Sequence, residues 1–164
     1  MGHSSAQLCI WDRVARLAIA GLSLVGVADA LYMLAYHGGL VDSLVCPWFG
    51  EGCNIVGRSR HAKHLGTPNA AVGAVGYAAI GALALWLGDR PAKERPLPAF
   101  GLAASSGGAF LASLFLSWEQ AARVRAWCFW CLLSAAINLA ILPLALREGW
   151  EAARGGLSLR SQQV

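Results

Sequence analysis

The hydrophobic residues of this chain fall into four long runs separated by short polar segments, with neither the 3.6-residue spacing of an amphipathic helix nor the strict alternation of a half-buried strand. Leu17–Tyr36 is interrupted only by Asp29, and residues 67–88, 97–118 and 126–146 contain no Asp, Glu, Lys or Arg. A helix rising about 1.5 Å per residue needs roughly 20 apolar residues to cross about 30 Å of hydrocarbon. Each run meets that length. The pattern therefore predicts an all-α fold, an integral membrane four-transmembrane-helix bundle. A single membrane domain is expected over residues 1–146, with spans at 17–36, 67–88, 97–118 and 126–146, an outer loop at 37–66 and a short cytoplasmic tail at 147–164. Arg13 and Arg16 before the first run resemble the flank of a signal peptide, but the apolar stretch far exceeds the roughly 7–15 residues of a signal core. It is expected to be retained as an anchor.

Composition agrees with the pattern. Of 164 residues, 57% are hydrophobic and 13% charged, against about 25% charged in ordinary soluble domains, which argues against both disorder and a soluble fold. Basic residues give the orientation. Arg13, Arg16, Arg90, Lys93, Arg95, Arg147, Arg154 and Arg160 lie on one side of four alternating spans, and Arg58, Arg60, Lys63, Arg123 and Arg125 on the other. The short connection 89–97 carries Arg90, Lys93 and Arg95, and short loops weigh most in this rule. Both termini are expected in the cytoplasm, with residues 37–66 and the turn 119–125 outside. The net charge of +4 thus reflects topology; no basic aromatic patch or glycine-rich phosphate loop suggests nucleic acid as a partner. Gly73, Gly76, Gly81, Gly107 and Gly108 with Ser105 and Ser106 give spans two and three small-residue faces suited to close helix packing.

Five cysteines, at positions 9, 46, 53, 128 and 131, carry the chemistry. Cys9 falls on the cytoplasmic side, where thiols stay reduced, while Cys46 and Cys53 fall in the outer loop, where disulfides persist. Cys128-Phe-Trp-Cys131 opens the last span at its outer end. At a helix N-terminus both sulfurs share one face, and the dipole and unpaired N–H groups stabilise a thiolate, the species that attacks disulfides. A redox pair fits this placement. Two alternatives remain at this level: purely structural disulfides, although a CxxC closes a loop too small to gain much stability, and a zinc site of four thiolates, for which the spacing of Cys46 and Cys53 is unusual. His61 and His64, beside Arg58, Arg60 and Lys63, read as a solvated or headgroup-facing helix surface.

The arrangement resembles the vitamin K epoxide reductase family. The resemblance rests on four spans, Cys46-x6-Cys53 in the first outer loop, Cys53-Asn-Ile-Val-Gly-Arg-Ser59, and Cys128-x-x-Cys131 opening the last span, and it covers most of residues 14–146. It implies that Cys46 receives electrons from an outside partner and that Cys53 forms a mixed disulfide with the CxxC through Cys128. It further implies that Cys131 meets a quinone, with Ser59 nearby and Asn69 hydrogen-bonded to a quinone carbonyl. Where human-type members have a tyrosine four residues after the last cysteine, this chain has Ala135. The implied partner is a separate thioredoxin-like (DsbA-like) periplasmic protein, because residues 147–164 are too few for a fused thioredoxin-like domain.

Thr67-Pro68 reads as an N-cap followed by proline at the first helical position, which places Asn69 in the first turn of span two. Asp29 inside span one and Glu119 at the outer turn are candidate proton-relay groups, although packing for the first and a solvated interfacial carboxylate for the second explain them as well. The functional expectation is a membrane thiol oxidoreductase in a bacterial inner (plasma) membrane, with its active site on the extracytoplasmic side. Electrons pass from the partner through Cys46/Cys53 to Cys128/Cys131 and reduce a quinone such as menaquinone, ubiquinone or a vitamin K-like compound, without a metal. The rival expectations are a vitamin K epoxide reductase of an ER membrane, which Ala135 disfavours, and a non-catalytic membrane scaffold with structural disulfides.

Overall fold

The computed structural model of the chain describes residues 2–64 and 66–161, with side chains described between Ile10 and Gly155. It contains helices α1 (Gly2–His37), α2 (Gly52–Arg58), α3 (Asn69–Leu87), α4 (Pro96–Glu119) and α5 (Phe129–Ser161), with a two-residue antiparallel ribbon of β1 (Lys63–His64) and β2 (Thr67–Pro68). Four stretches are long and apolar enough to cross a membrane: Ile10–His37, Asn69–Leu87, Pro96–Val124 and Phe129–Gly155. The four-span bundle read from the hydropathy pattern is therefore the architecture found. Leu24, Val72, Leu111 and Leu139 point outward from the spans, as side chains facing lipid do.

The interior of the bundle is built from Ile19 of α1, Ile80 and Leu87 of α3, Leu102 of α4 and Ile141 of α5, all shielded from solvent. Small residues let α1 and α3 approach closely. Gly26 leaves room for the ring of Tyr77, on which any side chain would collide, and Gly81 faces Ser23. The small residues expected to pack spans two and three divide: Gly81 meets α1, Gly76, Ser105 and Gly108 border a cavity, and Gly73 does both.

One end of the bundle is tied by a buried network. Arg16 donates from Nε and Nη2 to Glu148 Oε1 and Oε2 at 3.0 and 2.7 Å, and from Nη1 to the carbonyls of Gly88 and Arg90 at 2.8 and 2.7 Å. Both charged side chains are 4% exposed. A bidentate pair whose remaining donors are also satisfied is the geometry that offsets burial of two charges. Asp12 with Arg147 and Arg13 with Asp89 bridge the same end. The N-terminal part of α1, the α3–α4 connection and the C-terminal part of α5 therefore share one end, opposite to Cys46, Cys53, Cys128 and Cys131.

Two boundaries differ from the sequence reading. Residues 147–161, expected as a tail, continue α5 as helix; Arg147 pairs with Glu151 one turn on at 3.0 Å, Arg154 lies over the Trp150 ring, and Glu148 is held by Arg16. Thr67 and Pro68 do not cap and start α3 in the expected way. Both lie in β2, and Pro68, at φ −59° and ψ 134°, is itself the extended N-cap residue with no side-chain capping bond. Pairing of Lys63 with Pro68 and His64 with Thr67 holds this segment extended, and Asn69 becomes the first helical residue.

Candidate active site

α4 continues into a single wide turn, Gln120–Val124, and the chain then reverses through Arg125 in the left-handed conformation at φ 56°. The reversal delivers Cys128 to the start of α5. Its carbonyl accepts the first helical hydrogen bond, from Leu132 N–H at 3.1 Å, and its Sγ accepts Cys131 N–H at 3.4 Å. Cys128 thus occupies the N-cap position with sulfur in the place of a capping oxygen. Its own N–H donates to Gln120 Oε1 at 2.8 Å, a bond that fixes the residue from behind. Cys128 lies one residue ahead of the span, and hydrogen bonding from the Cys131 thiol, with further help from the N–H groups of Cys131 and Trp130, holds its thiol below the ordinary value despite burial. A thiolate therefore forms more readily at Cys128 than at an ordinary cysteine.

Cys46 and Cys53 form a disulfide with Cα atoms 5.5 Å apart, while Cys128 and Cys131 are free thiols. A four-thiolate zinc site is incompatible with that bond, and among the described residues no group of His, Cys, Asp and Glu is arranged to hold a metal. The loop is braced internally and fastened both to α1 and to the CxxC helix. Leu44 N–H donates to Asn54 Oδ1 at 2.8 Å, Val45 N–H to the Tyr32 hydroxyl at 3.1 Å, and the Trp130 indole N–H to the Val45 carbonyl at 2.7 Å. Trp48 stacks edge-on against Phe129, and Tyr32 against Trp130. Gly52 lies directly on the backbone carbonyl of Trp127. As a result Cys53 and Cys128 are neighbours in one fully buried cluster with Met33, Leu44 and Val56. Cys46 is half-buried beside exposed Val45 and Trp48.

Cys131, packed against the same cluster, also lines a cavity of about 590 Å³ bounded by all four spanning helices and the loop. Ligand pockets commonly measure about 300–1,000 Å³, with mostly apolar walls and a few placed polar groups. Polar groups on this wall include Asp29, His37, His61, His64, Asn69, Tyr77, Glu119, Ser134 and Asn138. Asn69 stands where the sequence predicted, with its amide already engaged: Nδ2 donates to the His61 carbonyl and Oδ1 meets His64 Nδ1, both at 2.8 Å. Ser59 and Ala135 are not among the lining residues. The Ser59 hydroxyl donates to the Val56 carbonyl at 2.7 Å, closing the end of α2. Beside Ala135, Ser134 faces the cavity and receives the Tyr77 hydroxyl, which donates to its carbonyl at 2.8 Å. Asp29 is buried with Oδ1 unpaired, as is Oδ1 of Asn138, so the deeper wall presents unsatisfied acceptors.

Two further readings change. Glu119 is not a solvated carboxylate; it is 5% exposed and lies between His61 Nδ1 at 2.8 Å and His64 Nε2 at 3.2 Å. Those histidines are not a solvated helix surface: His61 sits on a single 3₁₀ turn and His64 on β1, and both line the cavity. Gln120, Asn54, Gly52 and Trp130 were not singled out from sequence; only their adjacency to Cys53 and the CxxC hints at a role. The Cys9 side chain lies outside the described residues.

The arrangement couples an outer disulfide, a capped CxxC and a cavity reached by one thiol. No curated protein matches the sequence significantly. The family model described as the Vitamin K epoxide reductase family matches residues 17–146. With most of its length covered and the four cysteines in these positions, the chain belongs to the vitamin K epoxide reductase family.

Proposed function

We propose that this membrane redox enzyme oxidises a separate thioredoxin-like protein and passes the electrons to a membrane quinone, so that disulfides form outside the cytoplasm. A partner thiolate attacks Cys46 and releases Cys53 as a thiolate. The partner's second thiolate attacks the mixed disulfide, leaving the partner oxidised and freeing Cys46 as a thiolate. Cys53 then attacks Cys128 of the Cys128–Cys131 disulfide, Cys131 leaves as a thiolate, and Cys46 resolves the Cys53–Cys128 bond. Each step is exchange through a mixed disulfide. The CxxC dithiol is reoxidised as the quinone substrate accepts two electrons and two protons to become a hydroquinone. The direction follows reduction potential, quinones being stronger oxidants than structural protein disulfides. Menaquinone, ubiquinone and vitamin K-like quinones all offer carbonyls of the kind the cavity wall suits.

The observation that carries this reading is the shared burial of Cys53 with Cys128 while Cys131 opens to the cavity. Cys131 and Asn69, both on the cavity wall, support a quinone there; Ser59 and Ala135 enter as supports of α2 and α5 behind the wall. The basic-residue count supports a bacterial inner membrane orientation with both termini cytoplasmic and the cysteines outside. The test is anaerobic quinone reduction by the purified protein supplied with a reduced thioredoxin-like partner, together with Cys131→Ser, in which a Cys53–Cys128 bond should accumulate in non-reducing peptide maps. A trapped Cys46–Cys128 bond reverses the order of the loop cysteines, and absence of quinone reduction leaves the scaffold reading.

A further inference from the structure

Glu119 is held in an unfavourable place for a carboxylate. It ends α4, where the helix dipole disfavours negative charge, and it is 5% exposed. Its Oε1 meets His61 Nδ1 at 2.8 Å, while Oε2 lies 3.2 Å from His64 Nε2 yet has no aligned hydrogen-bond partner.

The surrounding hydrogen bonds fix where the protons are. Asn69 Nδ2 donates to the His61 carbonyl, so Oδ1 is the atom facing His64 Nδ1. Amide oxygen only accepts, and His64 Nδ1 therefore carries a hydrogen. In a neutral imidazole the other nitrogen then bears a lone pair, and that nitrogen, Nε2, faces Glu119 Oε2. Two lone pairs confront one another unless a proton lies between them, either on the carboxyl group or on the imidazole. The contact is thus one at which a proton on the carboxyl group or the imidazole relieves the repulsion, and the His64 side chain is 42% exposed.

Resting on the quinone reading above, we infer that His61, Glu119 and His64 form a proton relay for quinone reduction, delivering a proton to the quinone oxygen nearest Asn69. The balance closes without an added reductant. The Cys128–Cys131 dithiol loses two S–H hydrogens and two electrons and forms one S–S bond; the quinone gains two O–H bonds. The relay supplies one of those protons from Glu119 or His64 and the Cys131 thiol supplies the other, while His64 recovers one from the outer water into which the Cys128 thiol proton is released. The other titratable groups facing this cavity are Asp29 and His37 on α1, Tyr77 on α3 and Cys131 on α5. On the turn following α4, Arg123 is occupied over the Trp118 ring.

The experiment uses the purified full chain, reduced by thiol and mixed anaerobically with menadione or a short-chain ubiquinone in single turnover. Glu119→Gln keeps the size of the side chain and removes the carried proton, and should slow quinone reduction by about a hundredfold, within the usual range for a lost acid–base group. Formation of the Cys53–Cys128 bond should be unchanged. Glu119→Asp should restore part of the rate, formate should rescue Glu119→Ala, in which the carboxylate's space is vacated, and imidazole should rescue His64→Ala, effects that a merely structural role does not produce. An infrared difference spectrum between oxidised and reduced protein should show a carboxyl band that Glu119→Gln abolishes. Unchanged quinone reduction in Glu119→Gln and His64→Ala overturns the relay, as does a loss that neither formate nor imidazole rescues. Failure of the unmodified protein to reduce either quinone instead removes the quinone reading, and this inference with it.

Discussion

Gly52→Ala tests whether contact between the loop and the CxxC segment governs the internal exchange. Gly52 lies against the Trp127 carbonyl, where an added Cβ overlaps the oxygen and comes within 3.3 Å of the carbonyl carbon and 3.4 Å of Phe49 Cβ. The obstacle is backbone, so no rotamer change relieves it, and α2 has to lift from the segment holding Cys128. Overpacking of this kind costs about 1–3 kcal/mol. In the variant the resting protein relaxes by lifting the loop, and the strain returns only when Cys53 approaches Cys128 to react. At tenfold per 1.4 kcal/mol, the exchange should slow by about 5- to 150-fold. The assay is the rate of Cys53–Cys128 formation in a Cys131→Ser background, set beside single-turnover quinone reduction by the otherwise wild-type Gly52→Ala protein, which should be unaffected because Cys131 and the cavity do not touch Gly52. Exchange within about twofold of the parent, a difference of less than roughly 0.5 kcal/mol, refutes the reasoning, and equal loss of both steps shows that the substitution unsettles the bundle as a whole.

Asn69→Ala removes the amide that links His64 to the His61 carbonyl, and at about 0.5–1.5 kcal/mol per net hydrogen bond the KM for quinone should rise roughly two- to tenfold with partner KM unchanged; a change confined to partner KM places the quinone elsewhere. Gln120→Ala leaves the buried Cys128 N–H without its acceptor and should lower stability by about 1–3 kcal/mol, read from the unfolding midpoint in detergent. Arg16→Met alone strands a buried Glu148 carboxylate and should cost about 3–5 kcal/mol, whereas Arg16→Met combined with Glu148→Leu should recover much of that loss; equal destabilisation by the single and double variants contradicts the pairing.

The spans and the cysteines were legible because their signals are local. Twenty uncharged residues can be counted, and Cys128-Phe-Trp-Cys131 announces itself by spacing and by its place at the head of a run. Residues whose role depends on a distant partner were less legible. Arg16 reads as a flanking positive charge, and only the fold brings it to Glu148, 132 positions away. Glu119 and His61, 58 positions apart, each look like ordinary interfacial residues until the β1–β2 ribbon carries the histidines under the end of α4. Thr67-Pro68 misled for a physical reason: cap propensity is a weak local preference, and two rungs of strand pairing with the histidine segment outweigh it. Ala135 was chosen by offset from Cys131, but the helix at that level presents Ser134 to the cavity, where Tyr77 reaches it from α3.

The four sulfurs differ most in what can reach them. Cys46 is half-buried beside exposed apolar residues, Cys53 and Cys128 are wholly covered, and Cys131 opens to the cavity. In the proposed electron order this gradient does what redox potentials alone do not. Potentials set the direction of net flow, but a solvent thiol able to reach Cys128 directly would bypass the loop and let the quinone oxidise any thiol outside the membrane. Trp130 helps to prevent that bypass: its indole N–H holds the Val45 carbonyl and its ring packs against Tyr32, which in turn accepts Val45 N–H. The residue between the two CxxC cysteines thus fastens the loop that covers them. Loosening this clamp should raise oxidation of small thiols and lower oxidation of the protein partner, because the same contacts that exclude the first align Cys53 for the second.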